Sequence, residues 1–132
     1  MGNVPLMFLS EEQVIELHNV LIRNYGGMPG LRDVGLLQTA VMTPRATFSG
    51  EYLHEDVPSM AAAYLFHLAK NHAFYDGNKR IELAAAIAFL HANGYSLNVQ
   101  EDEAADATLA VAAGAWSKEE ITVWFQKAAC RT

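Results

Sequence analysis

The chain has 132 residues, the usual size of one domain, so residues 1–132 read as a single compact unit. Its 52% hydrophobic and 18% charged residues suffice for a buried core and exclude a disordered chain. Nine basic against fifteen acidic side chains give a net charge of -6, which excludes a general phosphate-backbone binder but leaves room for a small cationic site.

The opening MGNVPLMFLS has neither a basic start nor a long apolar stretch, so no signal peptide is expected. Ser10-Glu11-Glu12-Gln13 is a capping box, with Leu17, Val20 and Leu21 behind it at helical spacing. Gly26-Gly27 ends that helix and Pro29-Gly30 extends the turn. Asp33 can cap a second helix carrying Leu36, Leu37, Ala40 and Val41, which Pro44 stops at or before Thr43. From Pro44 to Val57 no helical period runs. Arg45 to Glu51, with its Ser49-Gly50 turn, reads as an irregular flap or short hairpin.

Pro58 suits the first turn of a third helix, through Met60, Tyr64, Leu65 and Leu68 to about Asn71. After a polar, Gly-containing loop, a fourth helix spans about Asn78 to Asn93; it is apolar almost all round, and so expected to be the central, buried one. Its apolar run Leu83 to Leu90 is far short of the roughly 20 residues that cross a bilayer. The acidic Gln100-Glu101-Asp102-Glu103 cluster opens a fifth helix, which ends at Gly114. Ser117-Lys118-Glu119-Glu120 is a second capping box, opening a sixth with Ile121, Trp124 and Phe125. Cys130, the only cysteine, permits no intrachain disulfide and suits a reducing compartment. The expectation is an all-α, cytoplasmic protein of about six helices, with no membrane segment and no direct nucleic-acid contact.

Chemistry concentrates in His72-Ala73-Phe74-Tyr75-Asp76-Gly77-Asn78-Lys79-Arg80, between the third and fourth helices. A helix N-terminus leaves about four N–H groups unpaired and carries partial positive charge, which suits phosphate. Gly77 permits close backbone approach or a left-handed turn, and Asn78 can donate or accept at the same spot. Lys79 and Arg80 oppose the helix dipole, so an anionic ligand gives them a reason to be there. Asp76 makes sense beside phosphate once Mg²⁺ is added, since one carboxylate with phosphate oxygens and water is a common way to hold that ion. His72, of a type whose ordinary pKa is about 6.5, suits a general base. Singly, each has a plainer reading: a structural histidine, an N-cap, a turn, a solvated edge. Their conjunction within nine positions points to phosphoryl-type transfer.

These residues resemble the signature of the Fic/Doc family, H-x-F-x-[D/E]-G-N-[G/K]-R-x-x-[R/L], with His72, Phe74, Asp76, Gly77, Asn78 and Arg80 in register. The likeness follows helix order through nearly the whole chain, but only the loop is residue-specific. It implies a Fic-fold helical bundle with a short flap before the active-site loop. His72 would deprotonate a target hydroxyl, Asp76 would hold Mg²⁺ on the phosphates of ATP, and Phe74 would anchor the loop. Gly77, Asn78 and Lys79 would form the anion turn and Arg80 would clamp a phosphate. In the flap, Arg45 and Phe48 are candidates for docking the target.

Adenylylating members carry Gly after the Asn and Arg at the last motif position, where this chain has Lys79 and Leu83. Both departures resemble the Doc (death-on-curing) branch, in which the γ-phosphate lies in the anion turn. That resemblance implies Mg-ATP-dependent phosphotransfer to a threonine of elongation factor Tu, arresting translation, with a Phd-type antitoxin as partner. AMP transfer by the same site and a non-catalytic antitoxin-binding co-repressor are the alternatives. Self-inhibited relatives carry [S/T]-x-x-x-E-[G/N]. The nearest string, Thr47 to Glu51 followed by Tyr52, fails at its last position. Glu82 reads either as a solvated helix residue or as one that weakens nucleotide binding.

The remaining histidines are set aside. His67 and His72 have no Cys or Asp at ligand spacing, so no structural zinc is expected. His18 and His91 are expected at the surface or its boundary, and His54 carries no assigned role. Tyr64, Phe66, Phe89, Trp124 and Phe125 read as core.

Overall fold

In chain order the computed structural model, which describes residues 5–132, runs through α1 (Glu11–Tyr25), α2 (Val34–Met42) and a 3-10 turn (Thr43–Arg45). A hairpin of β1 (Thr47–Phe48) and β2 (Glu51–Tyr52) follows, then α3 (Val57–Asn71) and α4 (Asn78–Ala92). The chain closes with β3 (Tyr95–Leu97), α5 (Glu101–Ala112), α6 (Lys118–Ala128) and β4 (Ala129–Arg131). The expected all-α bundle of six helices is present. Part of the signal-peptide reading falls on residues 1–4, outside the described residues.

The helix starts are chemically specified. The Ser10 hydroxyl accepts from Gln13 N at 3.1 Å while Gln13 Oε1 accepts from Ser10 N at 2.8 Å, and Ser117 and Glu120 repeat the device. Asp33 accepts from Leu36 N and Asp56 from Ser59 N, satisfying donors that the first turn leaves free. The hairpin turns through Ser49 and Gly50, both at positive φ, the geometry that suits a two-residue connection. The string Thr47 to Glu51 therefore lies in that hairpin rather than on a helix.

α3 and α4, joined by the short loop 72–77, pack along each other as the centre of the bundle. Their burial departs from expectation. The N-terminal half of α3, Pro58 to Leu65, is buried on every side, and Ala61, Ala62 and Ala63 let neighbours approach closely. α4 buries Ile81, Ala85, Ala86, Phe89 and Leu90 but leaves Leu83, Ala84, Ile87 and Ala88 half-buried, facing grooves. Tyr64, Phe89 and Phe125 are core as expected, whereas Phe66 and Trp124 are half-buried beside it. The Tyr64 hydroxyl accepts from Leu9 N at 2.9 Å and ties the segment before α1 to the core.

β3 and β4 were not foreseen. They pair antiparallel, Tyr95 with Arg131, Ser96 with Cys130 and Leu97 with Ala129. Three residues are too few to display a two-residue alternation, and the partners lie far apart in sequence, so only the packed helices bring them together.

His54, beyond the hairpin, and His67, on α3, are half-buried near Lys118 of α6; His54 Nδ1 and His67 Nε2 have no hydrogen-bond partner. Burial first, then repulsion from Lys118 and His54, pushes the His67 imidazole down to about 4. Depression of a base means its neutral form is favoured in the fold. Its stabilising contribution is complete above the ordinary value of 6.5 and is lost as pH falls through that value toward 4. Urea unfolding should therefore show stability falling across this interval, and His67→Phe should flatten that part of the profile. An unchanged slope in the variant would contradict the assignment.

Candidate functional site: the loop between α3 and α4

The loop 72–77 leaves α3 through His72, whose φ of 50° and ψ of 55° place a non-glycine residue in the left-handed region. Its surroundings hold it there: Arg32 donates from Nε to His72 O at 2.9 Å and from Nη2 to Asn71 O at 3.2 Å. The loop enters α4 through Gly77, at φ 72°, also left-handed. A Cβ on Gly77 would stand 3.2 Å from Ile22 Cδ1 and 3.4 Å from His18 Nε2, so space as well as conformation demands glycine.

No side chain caps the start of α4 among the described residues, and Ile81 N is the first amide to bond back, to Gly77 O. The N–H groups of Asn78, Lys79 and Arg80 thus precede the first helical bond. The Asn78 side chain turns the other way. Buried at 7% exposure, it donates from Nδ2 to Phe74 O at 2.8 Å and accepts at Oδ1 from Phe74 N at 3.2 Å. Its side-chain amide is thereby committed to the loop, and its backbone N–H is what faces the helix start. The Asn78 amide also lies 3.2 Å from His72 Nε2, within hydrogen-bond reach of the imidazole.

Asp76 is exposed, and two backbone donors hold it: Met28 N to Oδ2 at 3.0 Å and Gly77 N to Oδ1 at 2.8 Å. These bonds, with a smaller part from Arg80, keep the carboxyl below its usual range, so it is ionised at neutral pH. Each oxygen retains lone-pair capacity. No group of three or more acidic, histidine or cysteine side chains gathers among the described residues, so the set fits a Mg²⁺ that arrives with phosphate oxygens rather than an all-protein metal site.

His18, expected near the surface, is buried at 1% exposure. Its ring stacks on Phe74 at 3.8 Å between centroids and 14° between planes. Nε2 lies 2.7 Å from Asp76 O, and because a carbonyl only accepts, the proton is on Nε2. A histidine in a helix repeat carries no sign of burial, since its partner is a loop carbonyl 58 residues away.

The segment 26–33 runs beside the loop, another placement that sequence reasoning missed. Leu31 forms an antiparallel bridge with Phe74, Tyr75 N donates to Gly30 O, and Arg32 N and Asp33 N both donate to Ala73 O. Gly27 lies so close that a Cβ there would meet Asp76 Oδ2 at 2.8 Å. Arg45 and Phe48 lie elsewhere. Arg45 stands over the ring of Phe8, which stacks on Phe89 near the C-terminal end of α4, and exposed Phe48 is on the hairpin preceding α3. His72 follows α3 at its opposite end, and a 15-residue helix is about 22 Å long. The hairpin and the loop thus flank opposite ends of α3.

His72, Asp76, Gly77, Asn78, Lys79 and Arg80 share one cleft of about 700 Å³, lined also by Ala69 and Tyr75, by Leu109 and Ala112 of α5, and by Ala113 just beyond it. Arg80 stands over the Tyr25 ring at 5.1 Å, and its Nη1 reaches Gly26 O at 3.4 Å, the end of α1. Lys79 is exposed. Leu83 faces an adjoining apolar groove with Leu21 and Ile87 and brings no second cation. Glu82 is not solvated: it is 2% exposed in the cleft wall, and burial pushes its carboxyl up to about 8 against the opposing pull of Lys79.

His18→Phe should keep the stack on Phe74 and leave Asp76 O without its donor. A loss of about 1–2 kcal/mol in urea unfolding is expected, and no loss would show that water replaces the imidazole freely.

The chain is similar in sequence to known proteins. A profile described as the Fic/DOC family matches residues 8–90. The protein named "Protein kinase doc" of Escherichia phage P1 is 34% identical over 113 residues, 86% of this chain and 88% of that protein. The "Toxin Doc" of Mycolicibacterium smegmatis is 42% identical over 95 residues, 72% of this chain and 71% of that protein.

Proposed function

Since the chain belongs to the Fic/DOC family, on its Doc side, we propose that it is the toxin of a toxin–antitoxin pair, a phosphotransferase that moves the terminal phosphate of ATP to a protein hydroxyl. The observation that carries this reading is the sharing of one cleft by an uncapped helix start, two cations, an ionised Asp76 and the imidazole of His72. The target proposed is a threonine of elongation factor Tu, with arrest of translation in the cytoplasm as the result. A Phd-type antitoxin is the proposed partner.

The chain's own groups divide the work. The N–H groups of Asn78, Lys79 and Arg80 and the two cationic side chains bind phosphate oxygens, at a helix end suited to anions. Asp76 would hold Mg²⁺, which when bound neutralises phosphate charge. His72 accepts the proton of the target hydroxyl at Nε2, exchanging its 3.2 Å contact with Asn78 for the incoming oxygen. The left-handed backbone at His72, fixed by Arg32, aims the ring before the target arrives. Leu83 supports phosphoryl over AMP transfer, because its groove offers no second arginine for the other nucleotide pose.

Incubation with Mg-ATP and elongation factor Tu, read by mass spectrometry, should add one phosphate to a threonine. His72→Ala should slow that transfer by at least about 10²-fold. Addition of AMP would replace the proposed reaction with adenylylation, and growth arrest persisting in His72→Ala would replace catalysis with sequestration.

A further inference from the structure

Glu82 lies on α4 one turn beyond Asn78, on the same face, in the wall of the cleft that holds His72 and Asp76. It is 2% exposed, and its Oε1 has no hydrogen-bond partner. Among the described residues no lysine or arginine lies within ion-pair distance of it. Ala69 of α3 and Leu109 and Ala112 of α5, which face this part of the cleft, bring no polar side chain. A buried polar atom left unpaired is destabilising. An apolar residue at the same helical position would avoid that cost, so a buried acid here calls for a partner.

We propose that Glu82 is a further nucleotide-binding residue, a neutral carboxylic acid that donates its proton to an oxygen acceptor of the bound nucleotide, on phosphate or ribose, one helical turn inside the phosphate turn. This rests on the reading of the cleft as a nucleotide site. A carboxylate at this depth would repel polyphosphate, whereas the neutral acid offers one donor and loses nothing to like charge. Burial already holds the free group near the required state, at about 8. The charged and titratable groups bordering it are Lys79, which favours the carboxylate, with Arg80, Asp76 and His72 at the loop; α3 and α5 add none to the cleft wall. An arriving anion raises the affinity of Glu82 for its proton, so nucleotide binding takes up protons from solution.

Calorimetry at pH 8, in two buffers of different ionisation enthalpy, tests this with Mg-ATP and with inorganic tripolyphosphate. The wild-type chain should take up about half a proton more per ATP than Glu82→Gln does. Glu82→Gln keeps a donor without titrating. It should bind ATP at pH 7 within about threefold of wild type, with a flatter pH profile, whereas Glu82→Ala should bind about tenfold more weakly. Thermal unfolding checks that each variant is folded. Extra uptake with both ligands places the acceptor on phosphate, and uptake with ATP alone places it on ribose. Equal uptake in wild type and Glu82→Gln, or wild-type affinity in folded Glu82→Ala, overturns the assignment. Failure of the wild-type chain to bind either ligand is a different result: it removes the nucleotide site itself, and this inference with it.

Discussion

The side-chain amide of Asn78 closes on both polar groups of the Phe74 backbone, and the site depends on that closure. A short connection between two packed helices must satisfy its own N–H and C=O groups. If it borrowed the first amides of α4 to do so, no anion could use them. Asn78 supplies one acceptor and two donors from a single buried side chain, so the Phe74 backbone is satisfied without the first amides of α4 and the helix start stays available. Its second amide proton reaches His72 Nε2, which couples the shape of the turn to the orientation of the imidazole.

Ties on the outer side complete the restraint. The strand-like segment 26–33 exchanges backbone hydrogen bonds with Ala73 and Tyr75, while Arg32 grips the carbonyls at the end of α3. Asp76 belongs to both systems, since its carboxylate accepts from Met28 N and its carbonyl accepts from buried His18. The site thus sits between the bundle and an apposed backbone edge. The two left-handed residues at its ends, His72 and Gly77, are held rather than free.

Much of this was legible in the sequence because it is local. Capping boxes at Ser10 and Ser117, the Ser49-Gly50 turn and the proline near the start of α3 are written in neighbouring residues, and the loop chemistry is contiguous from His72 to Arg80. What escaped is long-range. His18 meets a carbonyl 58 residues away, Asp76 meets an amide 48 residues away, and β3 meets β4 only through the packing of α5 and α6 between them. Preceding α3 in sequence sets the hairpin a full helix length from the loop that follows α3. Glu82 shows the limit of helical periodicity, which assigns a face but not whether water reaches it.

The β3–β4 ribbon also decides where the polypeptide can be handled. Thr132 N donates to Gly94 O at 2.8 Å, so the last residue of this sequence is fastened just past the C-terminal end of α4. The phosphate turn lies at the other end of that 15-residue rod, about 22 Å away. A fluorophore or surface tether joined after Thr132 would emerge on the side remote from the cleft. The chain could then be immobilised with its cleft facing solution.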